Sequence, residues 1–73
     1  MPRKKRDIRR DYRRAGFTEE KGKGSHTVFR HPSLRKNYPV AGHDSDDAKR
    51  YDEDNLREAL ALLEEAQRER GQP

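Results

Sequence analysis

One stretch of the chain decides the fold, and it reads Gly22-Lys23-Gly24-Ser25-His26-Thr27-Val28-Phe29-Arg30-His31-Pro32. It opens as a flexible cationic loop, and its residues 25–31 then alternate in the way that is typical of a strand. Successive side chains of a strand point to opposite faces, so a Phe29 packed in the core leaves His26 towards solvent. Val28 and Arg30 are then expected on the same open face as His26.

Two further strands and two helices are predicted around this stretch. The spacing of apolar residues predicts a first helix over residues 4–15, and residues 17–20 follow it as a first strand. Residues 37–41 are predicted as a third strand, in which Pro39 indicates a sheet edge. A last helix is predicted over about residues 54–70. This order of elements predicts an α+β fold in which a three-stranded antiparallel sheet has both helices on one face.

Each helix is expected to bury a narrow apolar stripe. In the first helix the stripe is Ile8, Tyr12 and Ala15, while the arginines are expected to face outward: Arg9, Arg10, Arg13 and Arg14. Gly16 is expected to end this helix in a left-handed cap, with Phe17 folded back on Tyr12. In the last helix the predicted stripe is Leu56, Ala59, Leu60 and Leu63, with Leu62 outside it.

Composition limits the size of the domain. The 73 residues are 27% hydrophobic and 44% charged, which supports one small domain with a thin core. We expect a single domain over residues 1–73, with an ordered core over about residues 4–66 and short frayed ends that include residues 71–73. A partner or an oligomer would complete a core of this size.

The charge distribution indicates possible partners. The formal net charge is +4, and basic residues predominate over 3–36 whereas 44–54 is acidic. The basic region suits nucleic acid, an anionic membrane or an acidic protein, and the arginines of the first helix suit either a solvated face or contact with RNA. With no cysteine, no signal-peptide core and no apolar run long enough for a bilayer, we expect a cytoplasmic protein.

The acidic segment raises calcium binding as an alternative. Its spacing fails at the glycine and at the final glutamate of an EF-hand loop, where this chain has Lys49 and Asn55. The carboxylates of residues 52–54 suit instead the start of the last helix, whose positive end they stabilise. We therefore expect no metal site.

The histidine of the opening stretch is a candidate for chemistry on a phosphodiester. Cleaving RNA without a metal requires a base for the 2′-hydroxyl proton, cations for the phosphoryl oxygens and a proton donor for the leaving oxygen. Histidine exchanges protons near neutral pH, because the unperturbed pKa of its side chain is about 6.5. The expected phosphate contacts are Lys21, Lys23 and Arg30. A lone exposed histidine in a basic domain is more often a phosphate contact or a bystander, so residue types alone leave the role of His26 open.

A resemblance to a known family adds to this interpretation. The residues that carry it are Gly16-Phe17, then Gly24-Ser25-His26, then His31-Pro32. Their order and spacing resemble the HicA toxins, the small mRNA interferases of HicAB toxin-antitoxin modules. The run from Ala41 to Tyr51, leading into the run from Asn55 to Leu60, resembles one branch of that family.

The resemblance implies a fold like a double-stranded RNA-binding domain and an endoribonuclease that cleaves mRNA with neither metal nor organic cofactor. By position, the catalytic histidine of the family falls on His26, and Gly24 and Ser25 match the motif residues before it, so these two join the expected RNA-binding set. His31 matches a common histidine that we assign to strand termination or packing. A HicB-type antitoxin is expected to cover the His26 face and to block RNA access. The DNA-binding part of such antitoxins would link the toxin to DNA only indirectly.

Two other functions stay open at this point. A double-stranded RNA-binding module without catalysis has the same fold and basic surface, and it predicts salt-sensitive RNA binding without cleavage products. A purely structural partner subunit is suggested by the sparse core, and it predicts no affinity for RNA even at low salt.

Overall fold

Five elements form over residues 3–70, which are the residues that this computed structural model describes, apart from the side chain of Arg70. They are α1 (Lys5–Arg14), β1 (Thr18–Lys21), β2 (Thr27–Arg30), β3 (Tyr38–Val40) and α2 (Arg50–Arg70). The strands pair antiparallel in the order β1-β2-β3. The predicted α+β architecture is confirmed, and the strand ends differ from the predicted ones by one or two residues. The predicted frayed tail over residues 71–73 lies outside the described residues.

The end of α1 is set by Gly16, whose φ is +96°. The Gly16 amide donates to the Arg13 carbonyl (3.0 Å), and the Phe17 amide donates to the Tyr12 carbonyl (3.1 Å). These two hydrogen bonds form a Schellman motif, which satisfies carbonyls that the helix leaves free. The Phe17 ring lies edge-on to the Tyr12 ring, with centroids 5.2 Å apart. The predicted cap and the predicted contact are both confirmed, and the turn leads the chain into β1.

The core lies between one face of the sheet and both helices. In the β2–β3 ladder Phe29 lies opposite Tyr38 and Thr27 lies opposite Val40, so these four side chains share a face. The Tyr12 ring of α1 stacks on Phe29, with centroids 4.7 Å apart. The buried hydrophobic cluster comprises Ile8, Tyr12, Phe17, Phe29, Tyr38, Val40, Leu56, Ala59 and Leu63. Phe29 therefore joins the sheet to the helices, as its place in the strand predicted.

The start of α2 differs from the prediction, because the helix begins at Arg50 and not near residue 54. The Asp52 carboxylate accepts a hydrogen bond from the Lys49 amide (2.8 Å), which is half of a capping box and starts the helix earlier. The prediction that Leu60 is buried is wrong, since this residue is 37% exposed. The sheet and α1 cover only a narrow side of α2, and Leu60 lies beside it. Leu62 is exposed, as predicted.

The prediction that Arg9 faces outward with the other arginines of α1 is also wrong. Arg9 is 3% exposed and Lys5, one turn earlier, is 4% exposed. Together with Ile8 and Tyr12 they form one continuous helix face. Burial of a charge requires a partner, and the acidic segment after β3 supplies it. The other arginines of α1 are exposed.

The acidic segment crosses the N-terminus of α1. Its Asp46 carbonyl accepts the Lys5 amide (2.8 Å), and its Asp44 carbonyl accepts the Arg6 amide (3.2 Å). Carboxylates of the segment and of the start of α2 pair with basic side chains at Lys4–Asp47 (2.6 Å), Lys5–Asp52 (3.0 Å) and Arg9–Asp44 (2.6 Å). Much of the basic charge near the start of the chain is therefore neutralised within the fold.

Candidate active site

A cleft of about 350 Å³ opens where α1, the β1–β2 loop and the β3–α2 loop meet. Its lining residues are Arg9 and Arg13 of α1, Glu19 and Lys21 of β1, Gly24, Ser25, His26 and Thr27 before and at the start of β2, and Gly42, His43 and Asp44 after β3. Three separate segments therefore contribute polar and charged groups to one concave surface.

The β-ladder places part of the cleft on the helix side of the sheet. Glu19 lies opposite Phe29, and Lys21 lies opposite Thr27. Paired residues of an antiparallel ladder share a face. Phe29 and Thr27 face the helices and are buried, so Glu19 and Lys21 are directed to that same side at the edge of the sheet.

The sequence predicted instead an open face that His26 shares with Val28 and Arg30. The structure begins β2 at Thr27, so His26 belongs to the loop before it and the strand alternation does not determine its direction. Arg30 lies at the far end of β2, where it pairs with Glu20 (3.0 Å). His26 and Arg30 therefore lie at opposite ends of this strand.

Four of the six predicted site residues line the cleft, namely Lys21, Gly24, Ser25 and His26. Lys23 and Arg30 do not line it. The predicted cluster of three cations around the histidine is therefore only partly assembled, and Lys21 is the predicted cation that the cleft contains.

The β1–β2 loop closes on His26 through its own backbone. The Gly22 amide donates to the His26 carbonyl (2.9 Å), and the His26 amide donates to the Lys23 carbonyl (3.2 Å). Gly24 at the tip has a φ of +62°, a conformation that glycine adopts without strain. The loop presents His26 as an exposed side chain at the rim of the cleft.

Arg9 lies behind this loop and binds both loops of the cleft. Its Nε donates to Thr27 Oγ1 (2.9 Å), and its Nη1 donates to Asp44 Oδ1 (2.6 Å). Its Nη2 donates to three backbone carbonyls, those of Ser25 (3.1 Å), Val40 (3.3 Å) and Gly42 (2.6 Å). A single buried guanidinium thus holds the residues on either side of His26 to the segment that follows β3.

His43 also lines the cleft, and the sequence interpretation gave it no role. The signal for it is the β2–β3 register: Thr27 pairs with Val40, so the chain just before Thr27 runs beside the chain just after Val40. His26 immediately precedes Thr27, and His43 is the third residue after Val40, so both belong to these two neighbouring segments. Recognising the pair requires the register, which the sequence alone did not provide.

The rings of the three histidines differ in their surroundings. Over residues 3–70, no protein group is hydrogen-bonded to the imidazole of His26 or of His43, and both residues are exposed. The Nδ1 of His31, by contrast, accepts the Ser33 amide (3.0 Å), and its ring packs edge-on to Phe17 with centroids 5.2 Å apart. His31 therefore has the packing role that the sequence assigned to it.

The charges of the cleft are largely paired. Arg13 donates to Glu19 at 2.7 Å, and this hydrogen bond lowers the pKa of Glu19 and raises the pKa of Arg13. Arg9 is paired with Asp44. Within the described part of the chain Lys21 forms no ion pair, so its ammonium group is available to an anion. Two free imidazoles and one available lysine can contact a phosphodiester and exchange protons with the attacking hydroxyl and the leaving oxygen.

Across residues 3–70, no three His, Cys, Asp or Glu side chains gather into a group that could hold a metal ion. No helix in the same range combines the length and the apolar character that crossing a membrane requires.

Comparison with known proteins places most of the chain in a family model. The family model described as "HicA toxin of bacterial toxin-antitoxin" matches residues 6–66. No curated protein and no solved structure matches the chain. The matched range contains every residue that lines the cleft.

Proposed function

The chain belongs to the HicA toxin family, and from this premise we propose that it is an endoribonuclease that cleaves mRNA in the cleft, with His26 as a catalytic residue. The family match confirms the resemblance that the sequence motifs indicated. A member of this family is the toxin component of a toxin-antitoxin system. The observation that carries the proposal is the exposed His26 imidazole, free of hydrogen bonds from residues 3–70, in a cleft that also contains Lys21.

The proposed reaction uses the 2′-hydroxyl of the RNA as the nucleophile. His26 accepts the proton of this hydroxyl while the 2′-oxygen attacks phosphorus, and Lys21 balances the charge on the phosphoryl oxygens. The bond from phosphorus to the 5′-oxygen then breaks, and this oxygen takes a proton from an acid, so the products are a 2′,3′-cyclic phosphate and a 5′-hydroxyl. Imidazole supplies this proton transfer itself, so we propose that the reaction needs no metal and no organic cofactor.

The proposal is tested by the cleavage of an RNA transcript with purified protein in the presence of EDTA. We expect the His26→Ala variant to cleave at least about 100-fold more slowly, in line with the usual contribution of general base catalysis. His31→Asn is the matched control, because its amide oxygen replaces the Nδ1 acceptor and His31 lies outside the cleft. It should cleave as the wild type does.

Two outcomes would count against this assignment. Equal cleavage by folded His26→Ala and by wild type would remove His26 from the reaction. Salt-sensitive RNA binding by the wild type without any product would favour the non-catalytic double-stranded RNA-binding module instead. Circular dichroism of each variant establishes that it is folded.

We also propose that a HicB-type antitoxin covers the face of the protein that carries His26. We propose further that the protein acts in the cytoplasm and that it is linked to DNA only through the antitoxin. Support comes from the toxin-antitoxin family and from the exposure of His26, which a partner would need to mask. Co-expression with the product of an adjoining small gene should give one complex in gel filtration that no longer cleaves RNA. A stable complex that retains full cleavage would place the antitoxin elsewhere on the surface.

A further inference from the structure

We propose that His43 is a second catalytic residue of the cleft and that it donates the proton to the 5′-oxygen as this oxygen leaves phosphorus. The inference rests on the proposed function, because it assigns one step of the same RNA cleavage. The sequence interpretation gave His43 no role and left this proton donor without a candidate.

The first argument is that one nitrogen of Arg9 binds the backbone next to both histidines. His26 follows Ser25 in the β1–β2 loop, and His43 follows Gly42 in the β3–α2 loop. The carbonyls of Ser25 and Gly42 both accept hydrogen bonds from Nη2 of Arg9, at 3.1 and 2.6 Å. The backbone immediately before each histidine is therefore attached to the same buried nitrogen, and both residues line the same cleft.

The second argument is that the segment around His43 is firmly held while its ring is free. A Cβ on Gly42, whose φ is +98°, would lie 3.1 Å from side-chain atoms of Asp46 and Lys5, so only glycine fits there without displacement. The His43 amide donates to Asp46 Oδ2 (3.0 Å), and Asp44 is paired with Arg9. The backbone of His43 is thus fixed on both sides, whereas its imidazole keeps both nitrogens available among residues 3–70.

The chemistry requires two groups in opposite protonation states. His26 starts neutral and takes the proton of the 2′-hydroxyl, and His43 starts protonated. As the bond between phosphorus and the 5′-oxygen breaks, this oxygen takes the proton of His43. The products are a 2′,3′-cyclic phosphate and a 5′-hydroxyl, and exchange of protons with water returns both imidazoles to their starting states. Lysine and arginine do not exchange protons readily near neutral pH. The carboxylates of Glu19 and Asp44 accept hydrogen bonds from Arg13 and Arg9, so His43 is the remaining candidate for the donor.

The wild-type chain itself should show this pair in its pH dependence. One neutral and one protonated imidazole give a rate of cleavage that falls at both acid and alkaline pH. The other charged groups near the two imidazoles are Arg9, Arg13, Glu19, Lys21 and Asp44, which line the cleft, and Asp46, whose carboxylate accepts the His43 amide. Loss of His43 should remove the fall on the alkaline side, because that limb reports deprotonation of the donor.

The decisive experiment uses an RNA oligonucleotide with one mapped cleavage site, in its ordinary form and with sulfur in place of the bridging 5′-oxygen. The thiolate leaves without a proton, so this substrate does not need a general acid. We expect His43→Ala and His43→Gln to cleave ordinary RNA at least about 100-fold more slowly than wild type. They should cleave the sulfur-containing RNA at close to the wild-type rate, while His26→Ala should be slow on both. Ser45→Ala, in the same loop and outside the cleft, is the control.

The outcomes separate this inference from the proposed function. Wild-type cleavage of ordinary RNA by both folded His43 variants would overturn the role of His43 and leave that of His26 intact. If the His43 variants lost cleavage rate equally on both substrates, the role of His43 would also be overturned. The thiolate leaves without a proton, so loss of a proton donor should not slow cleavage of the sulfur-containing RNA. A wild-type chain that cleaves neither substrate would overturn the proposed function and this inference together. A wild-type rate without an alkaline fall would overturn the inference whether or not the variants fold.

Discussion

At the scale of single residues, Arg9 has the largest influence on the site. A guanidinium is costly to bury unless its N–H donors are satisfied, and Arg9 has acceptors for Nε, Nη1 and Nη2. Its partners belong to the β1–β2 loop, to β2, to β3 and to the segment that follows β3. A lysine has a single charged nitrogen and cannot span these acceptors with the same planar geometry.

We predict that Arg9→Ala lowers the free energy of unfolding by about 3 kcal/mol or more, because it removes the donor to Thr27 Oγ1 and to the carbonyls of Ser25 and Gly42. Arg10→Ala is the matched control, since its exposed side chain makes only surface ion pairs with Asp7 (3.3 Å) and Asp11 (3.7 Å). It should change the stability by less than about 0.5 kcal/mol. Urea unfolding followed by circular dichroism measures both, and equal losses would show that the Arg9 network adds little to stability.

At the scale of elements, the fold pairs some basic side chains with carboxylates and leaves others unpaired among residues 3–70. The acidic segment pairs with the basic residues at the start of α1, and Glu19 of β1 pairs with Arg13. Lys21, the last residue of β1, is directed to the cleft and has no ion pair among residues 3–70. Lys23 lies only two residues further along but outside the cleft. The β1–β2 hairpin thus separates two lysines that are nearly adjacent in sequence.

This difference predicts unequal effects on RNA binding. In a His26→Ala background, which prevents turnover, Lys21→Ala should weaken RNA binding and reduce the slope of log K against log salt by about 0.7 to 0.9, as loss of one phosphate contact does. Lys23→Ala should give the smaller change in both quantities. Fluorescence anisotropy of a labelled RNA at several salt concentrations provides the measurement. Larger effects at Lys23 would show that RNA binds outside the cleft.

At the scale of the whole molecule, hydrogen bonds between distant charged groups connect the helices to the strands and loops. Arg13 of α1 lowers the pKa of Glu19 of β1, and Lys36 and Tyr38 lower the pKa of Glu58 of α2. Desolvation and the hydrogen bond with Glu58 raise the pKa of Tyr38 to about 12. These contacts make the stability of the small domain dependent on pH at both extremes.

The sign of each dependence follows from linkage between protonation and folding. Carboxyl groups with a lowered pKa in the folded state stabilise it above their unfolded pKa, and this contribution is lost as the pH falls through the folded pKa. We therefore expect the melting temperature to fall on acidification below about pH 4.5. It should also fall between about pH 10 and 12, since Tyr38 ionises more readily when unfolded. Thermal melts across this pH range test both expectations. In Glu19→Gln the melting temperature should fall less on acidification than in the wild type. An equal fall in that variant would show that Glu19 does not contribute to the acid dependence of stability.

Particular residues show which features of the fold can be predicted from the sequence. The cap at Gly16, the inward direction of Phe29 and the edge position of β3 follow from local rules of turn conformation and side-chain alternation, and all three agree with the structure. The start of α2 at Arg50 also involves a local contact, between the Asp52 carboxylate and the Lys49 amide, which the prediction did not use. The burial of Arg9 does not follow from local rules, because its partner Asp44 is placed only when the acidic segment packs against α1.

The sequence by itself determined the order of the elements, the core face of the sheet and the family motif around His26. Backbone conformation and solvation act over a few neighbouring residues, so they can be interpreted from local patterns. Only the tertiary structure decided that His43 lies in the same cleft and that Arg9 binds the backbone before both histidines. Arg9 and Asp44 are 35 positions apart in the chain, and the pairing of β2 with β3 brings the two loops together. Such a contact depends on the register and packing of the folded chain.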